Sequence, residues 1–167
     1  NAAKAGAELL LAECLYNQAV AEANSFTTAP KKVFRDAENE YRRALKLIPK
    51  DDHLGESAAF RLGEIAFNLG QYDSAVEMFA KLLADYPGGL LRGEARLLQA
   101  QAFLTQKRSA EAAGILRTLL ADQQVYESDP RVALAYGVAL FEVGKSSEAL
   151  LQLEGLKNPL AYLYAGR

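Results

Sequence analysis

The stretch Glu56–Gly89, ESAAFRLGEIAFNLGQYDSAVEMFAKLLADYPGG, constrains the fold more than any other part of the chain. Leu62-Gly63, Gly70, Tyr72, Ala75, Phe79 and Pro87 fall at the spacings of a helix–turn–helix unit of about 34 residues. The unit recurs. A step of 37 residues carries Gly63 to Ala100 and then to Gly137. The same steps carry Ala75 to Ala112 and Ala149, and Phe79 to Leu116 and Leu153. Each replacement keeps a size class. Gly63, Ala100 and Gly137 are small where two helices approach closely, as are Ala75, Ala112 and Ala149 on the second helix. Phe79, Leu116 and Leu153 fill the space between neighbouring pairs. Tyr72 gives way to Ser109 and Ser146, and neither later copy has a proline at the position of Pro87, so the later copies are degenerate.

The N-terminal copy comes in two pieces. Leu11–Asn17 aligns with Leu62–Asn68 at a shift of 51, whereas Ala37, Tyr41 and Pro49 align with Ala75, Phe79 and Pro87 at a shift of 38. The difference places an insertion between the two helices, near 20–32. Ala-rich sequence to Asn24 lengthens the first helix, and Ser25–Pro30 reads as a loop with Pro30 opening the next helix. The expected helices are 3–24, 31–48, 53–69, 72–85, 90–106, 109–122, 130–143 and 146–156. Asp85-Tyr86-Pro87-Gly88-Gly89 stops one helix, with Gly88-Gly89 read as a turn signal only. Ser128-Asp129-Pro130 starts another through an N-cap followed by proline.

This pattern resembles the tetratricopeptide repeat family, over residues 3 to 156. The resemblance implies an all-α fold: a right-handed α-α superhelix, or solenoid, of antiparallel helix pairs with 8 to 9 helices. It implies a single domain over 1–167, with pairs at 3–48, 53–87, 90–122 and 130–156. Residues 158–167 follow as a capping helix or the start of a further repeat. Their apolar run Ala161–Ala165 lacks the polar outer face of a terminal cap, so the chain reads as part of a longer protein.

Composition fits and excludes. Half of the residues are hydrophobic and a quarter charged, with Ala and Leu abundant and Trp absent, which favours helix over strand. A net charge of −2 gives no basic excess for nucleic acid. No apolar run is long enough for membrane insertion. His53, the only histidine, stands beside Asp51 and Asp52 at a helix N-terminus without metal-ligand spacing. Cys14, the only cysteine, aligns with Ile65 and reads as a buried structural thiol. Phosphate loops, nucleophile elbows and paired cysteines are missing. The sequence therefore predicts no enzyme, no cofactor and no metal. Lys31, Lys32, Arg35, Arg42, Arg43 and Lys46 make the second helix basic, interleaved with Asp36, Glu38 and Glu40, and read as a solvated outer face.

In the family, the first helix of each pair lines a concave groove. Carried over position by position, the resemblance assigns partner-binding columns. The first is Leu9, Phe60, Leu97 and Leu134. The second is Glu13, Glu64, Gln101 and Val138. The third is Tyr16, Phe67, Leu104 and Phe141, flanked by Asn17, Asn68, Thr105 and Glu142. Spacings of three and four residues place them on one stripe of each helix. The Lys and Asn of a carboxylate clamp are replaced by Leu9/Glu13, Phe60/Glu64 and Leu97/Gln101. The groove is thus apolar with acids and amides at its rim, suited to a peptide with Leu or aromatic anchors.

The expected function is a non-catalytic scaffold for a protein or peptide partner. The alternatives are a regulatory or assembly domain of a larger enzyme, secretion or envelope complex, and self-association through Tyr162, Leu163 and Tyr164 as a homo-oligomer. The run Ala75–Gly89 is also similar to repeats of bacterial Tol-Pal-associated and outer-membrane assembly proteins, which favours the periplasm or cell envelope over the cytoplasm.

Overall fold

A computed structural model describes residues 2–24, 30–49, 52–122 and 129–154. Among them are eight α-helices and no strand: α1 (Ala2–Asn24), α2 (Pro30–Leu45), α3 (His53–Asn68), α4 (Tyr72–Asp85), α5 (Arg92–Thr105), α6 (Ser109–Asp122), α7 (Pro130–Glu142) and α8 (Ser146–Glu154). The helix boundaries follow those expected from sequence to within a few residues. The proposed contact Tyr162–Tyr164, the apolar end 158–167 and most of the loop 25–30 lie outside the described residues. The chain divides into two compact units, Asn1–Arg92 and Gly93–Arg167.

In the first unit α1 packs along α2, α2 on α3 and α3 on α4. Alanines set the spacing: Ala12 and Ala19 of α1 and Ala37 and Ala44 of α2 are fully buried. Tyr16 meets Phe34 edge-on at 6.0 Å, and Ala58, Leu62 and Ile65 of α3 close the same core. The next layer is built on one close approach. A Cβ added to Gly63 would stand 2.5 Å from the Phe79 ring, which is itself fully buried and 5.8 Å from Phe60. In the second unit the equivalent approach is Gly137 on Leu153, where an added Cβ would meet the Leu at 2.6 Å. Arg96 of α5 joins Asp122 of α6 at 2.7 Å, and Arg131 of α7 joins Glu94 of α5 at 2.7 Å.

The turns between paired helices repeat as faithfully as the helices do. Gly70, Lys107 and Gly144, each 37 residues after the last, all have left-handed φ, at 76°, 61° and 83°. The following residue closes the same bond each time: Gln71 N–H to Ala66 C=O, Arg108 N–H to Phe103 C=O and Lys145 N–H to Leu140 C=O, all at 2.9 Å. These are the long bonds of a Schellman turn, which leaves one residue left-handed. Lys107 occupies that position with a side chain, at a steric cost glycine does not have. Its partner Glu142, at 3.2 Å, is an exposed pair of small worth. Lys107→Gly is therefore expected to stabilise the fold by roughly 0.5–1 kcal/mol. A higher thermal midpoint in calorimetry is the expected reading, and a lower one would show that the ion pair outweighs the backbone strain.

Helix starts follow local chemistry. Asp52 caps α3 by accepting from Leu54 N–H at 2.9 Å, and Asp129 caps α7 by accepting from Arg131 N–H at 2.8 Å, with Pro130 next in line. His53 is exposed and lies 3.2 Å from Asp52, within this capping turn. No group of three metal-ligating side chains is present among the described residues, and none of their helices is long and apolar enough to cross a membrane.

Cys14 departs from its expected place. It is exposed, whereas its counterpart Ile65 is fully buried. Ile65 packs back onto the α1–α2 pair, whereas among the described residues no helix buries the side of α1 that carries Cys14, where Leu10 and Leu11 are exposed too.

Candidate functional site

The first-unit positions assigned from sequence lie on α1 and α3. Arg61, which sequence reasoning passed over, organises this site. Its guanidinium lies 4.6 Å over the Tyr16 ring, with Nε donating to Glu13 at 3.3 Å and Nη1 donating to Glu64 at 2.7 Å. One cation thus ties α1 to α3 and answers two of the acids expected at the rim. Arg61 precedes Glu64 by three residues, so the two share a helix face, and that spacing was the available signal.

Charges shift accordingly. Burial raises Glu64 above the usual carboxylate range, against the opposing pull of Arg61. Burial works against the Arg61 charge, but Glu64 and Glu13 outweigh it and hold its pKa up. Burial, helped by the Glu64 charge, pushes the Tyr16 phenol up to about 12. Tyr41, beneath this layer and fully buried, is pushed up by burial and then by Glu13. Both phenols are therefore neutral, and the face carries one buffered cation between two carboxylates.

The remaining predicted positions separate by exposure. Tyr16 and Phe60 are buried, so they support the face from beneath. Leu9 is half-buried, as is Phe67, whose ring meets Tyr72 edge-on at 5.3 Å. Asn17 and Asn68 are exposed, with both amide groups open to a ligand.

In the second unit Leu97 is buried in the core, while Gln101, Leu104, Leu134, Val138 and Phe141 are half-buried. Thr105 turns its hydroxyl back to Gln101 C=O at 2.9 Å. Glu142 is taken up by the α5–α6 turn, accepting from Ser109 Oγ and from Lys107 Nζ. Ser109 foremost, then Lys107, holds the Glu142 carboxyl below its ordinary range although burial opposes them.

What this arrangement offers is helix faces with half-buried apolar side chains and exposed amides. Fold and site together define an α-α repeat protein of stacked helix pairs. A family model described as tetratricopeptide repeat matches residues 33–89, 60–125 and 97–157, most of the chain, and the chain belongs to that family. Solved structures share the fold. The MamA RS-1 ArsTM double mutant aligns with a TM-score of 0.65 at 17% identity, covering 93% of this chain and 75% of that one. The putative kinesin light chain nearly identical TPR-like repeats of Podosopora anserina align at 0.67 and 15% identity, covering 92% and 86%. BtubC (BKLC) from P. vanneervenii aligns at 0.62 and 19% identity, covering 97% and 82%. At such identities the likeness concerns the fold. No curated protein matches the chain in sequence.

Proposed function

We propose that this chain is a non-catalytic interaction scaffold that binds a peptide or partner segment along the first-helix faces of its repeats. In the first unit the ligand lies across α1 and α3. One observation carries the reading. Arg61, fixed between Glu13 and Glu64 over Tyr16, locks a rigid polar strip beside the half-buried Phe67 and the exposed amides of Asn17 and Asn68. A preorganised strip of this kind limits the ordering cost of binding. Side-chain amides donate to and accept from a peptide backbone, and half-buried apolar side chains receive its anchors.

Membership of a family of interaction repeats supports the same reading. Truncating Phe60 or Leu97 tests it poorly, because both are core residues whose loss weakens the fold. Exposed positions test it better. A photo-crosslinking amino acid at Asn17 or Asn68 is expected to give a discrete protein adduct in extracts of the source cells. The same label at exposed Asn39 on α2 is expected to give none. Equal labelling from all three positions would remove the proposal.

A further inference from the structure

Outside that face, α1 exposes Leu10, Leu11 and Cys14, the buried carboxylate of Glu56 is engaged by backbone amides, and a cleft lies between α2 and α4.

Both α2 and α4 pack on α3, and between them they leave a depression of about 740 Å³. Its size falls within the roughly 300–1,000 Å³ typical of ligand pockets. Ala59 and Leu62 of α3 form the floor, and Leu45, Met78 and Leu82 form the apolar lower walls. Ala59 makes the depression deep, since a larger side chain there would fill it. Met78 gives the wall a polarizable, adaptable surface.

The rim is charged in a definite way. Arg42 and Lys46 stand on the α2 side, and Lys81 and Asp85 stand one turn apart on the α4 side, near Tyr86. Arg42 is engaged by Glu38, to which its Nε and Nη2 donate at 3.0 and 2.7 Å. Lys46 and Lys81 have no ion pair with any described residue. Two lysines without an ion-pair partner among the described residues thus line a cleft with an apolar floor, in a chain whose net charge is −2. Arg42 and Lys46 were read from sequence as part of a solvated outer face. Both are exposed in the structure, and they also stand on the rim of this cleft.

We propose that this cleft is a second docking site, which takes an acidic amphipathic helix from a partner protein. Apolar side chains at i, i+3 and i+4 would fill the floor, as in helix-in-groove recognition. Carboxylates on both flanks of that stripe would meet Lys46 and Lys81. The recessed apolar floor argues for a peptide over the alternatives. A flat anionic membrane would reach the rim alone, and a nucleic-acid backbone has no apolar group for the floor.

The test is a displayed library of short random peptides, selected on the wild-type chain and counter-selected on Ala59→Leu. Enriched sequences are expected to carry a helical apolar stripe flanked by Glu and Asp. Their affinity, read by fluorescence anisotropy, is expected to fall about tenfold or more in Ala59→Leu and in Lys46→Glu/Lys81→Glu, and to weaken with salt. Circular dichroism and thermal melting verify that each variant is folded, and the charge-reversed pair serves where Ala59→Leu is not. Asn68→Lys, on the other face, is expected to leave this binding unchanged. Loss in Asn68→Lys with retention in Ala59→Leu would overturn the cleft while supporting the α1–α3 face. The cleft is likewise overturned if no peptide separates wild type from Ala59→Leu. Vesicles of phosphatidylglycerol that bind in a charge-dependent manner, while no acidic peptide is enriched, would overturn it in favour of a lipid surface.

Discussion

Gly63→Val is expected to destabilise the first unit by several kcal/mol, among the largest effects of any single substitution here. The cause is the Phe79 ring, whose edge atoms lie 2.5 to 2.9 Å from where even a Cβ would stand. Phe79 is fully buried and cannot swing into solvent. Either the ring leaves its rotamer or α3 and α4 move apart. Overpacking of this kind costs about 1–3 kcal/mol and sometimes more, and it outweighs the small gain in helix propensity of Val over Gly.

The converse truncation, Phe79→Ala, is expected to cost about 3–5 kcal/mol through lost burial and a cavity. The informative measurement is the pair. Gly63→Ala/Phe79→Leu should be less damaging than the sum of its single changes by more than about 0.5 kcal/mol, because the smaller side chain releases the clash. Urea denaturation of the four proteins checks this. Strict additivity would show that Gly63 is small for some reason other than its contact with Phe79.

Glu56→Ala is expected to cost about 2–3 kcal/mol. Glu56 is only 5% exposed, and its two carboxylate oxygens accept from Leu90 N–H at 3.2 Å and Leu91 N–H at 2.7 Å. Those amides follow the α4 stop signal, and Glu56 stands where a loop has no helical acceptor for them. Gly89 completes the seat. A Cβ there would fall on the Glu56 carboxylate, so this glycine admits the side chain as well as punctuating the turn. Glu56→Gln keeps the shape but sets an NH2 against one of the donors, and should lose about half as much. Hydrogen exchange at Leu90 and Leu91 gives the direct reading. Both amides should lose protection in Glu56→Ala, while amides in the middle of α3 keep theirs. Unchanged exchange and an unchanged unfolding midpoint would show that the carboxylate is not their acceptor.

Much of this fold was legible because its constraints are local or periodic. The left-handed turn at Gly70 and Gly144 is written in glycine, and the small positions Gly63, Ala75, Gly137 and Ala149 mark where helices touch. Lys107 shows the limit, since its backbone adopts the glycine conformation without the residue that advertises it. Cys14 shows another: its place in the repeat matches Ile65, but burial depends on whether a helix lies across it. The candidate face was legible as positions and not as chemistry. Glu13 and Glu64 were read as acids at the rim of an apolar groove, and Arg61 between them changes the charge and rigidity there.

The sequence by itself determined the helix-pair repeat, its step of 37 residues and the helix boundaries, because size classes and turn residues recur along one dimension. Only the tertiary structure decided the pairings across helices: Arg61 with Glu13, Glu56 with Leu90 and Leu91, and Lys46, Ala59 and Lys81 lining one cleft. Those depend on which side chains meet across tens of residues of chain, and a periodic pattern fixes the faces of helices without fixing the partners that meet there.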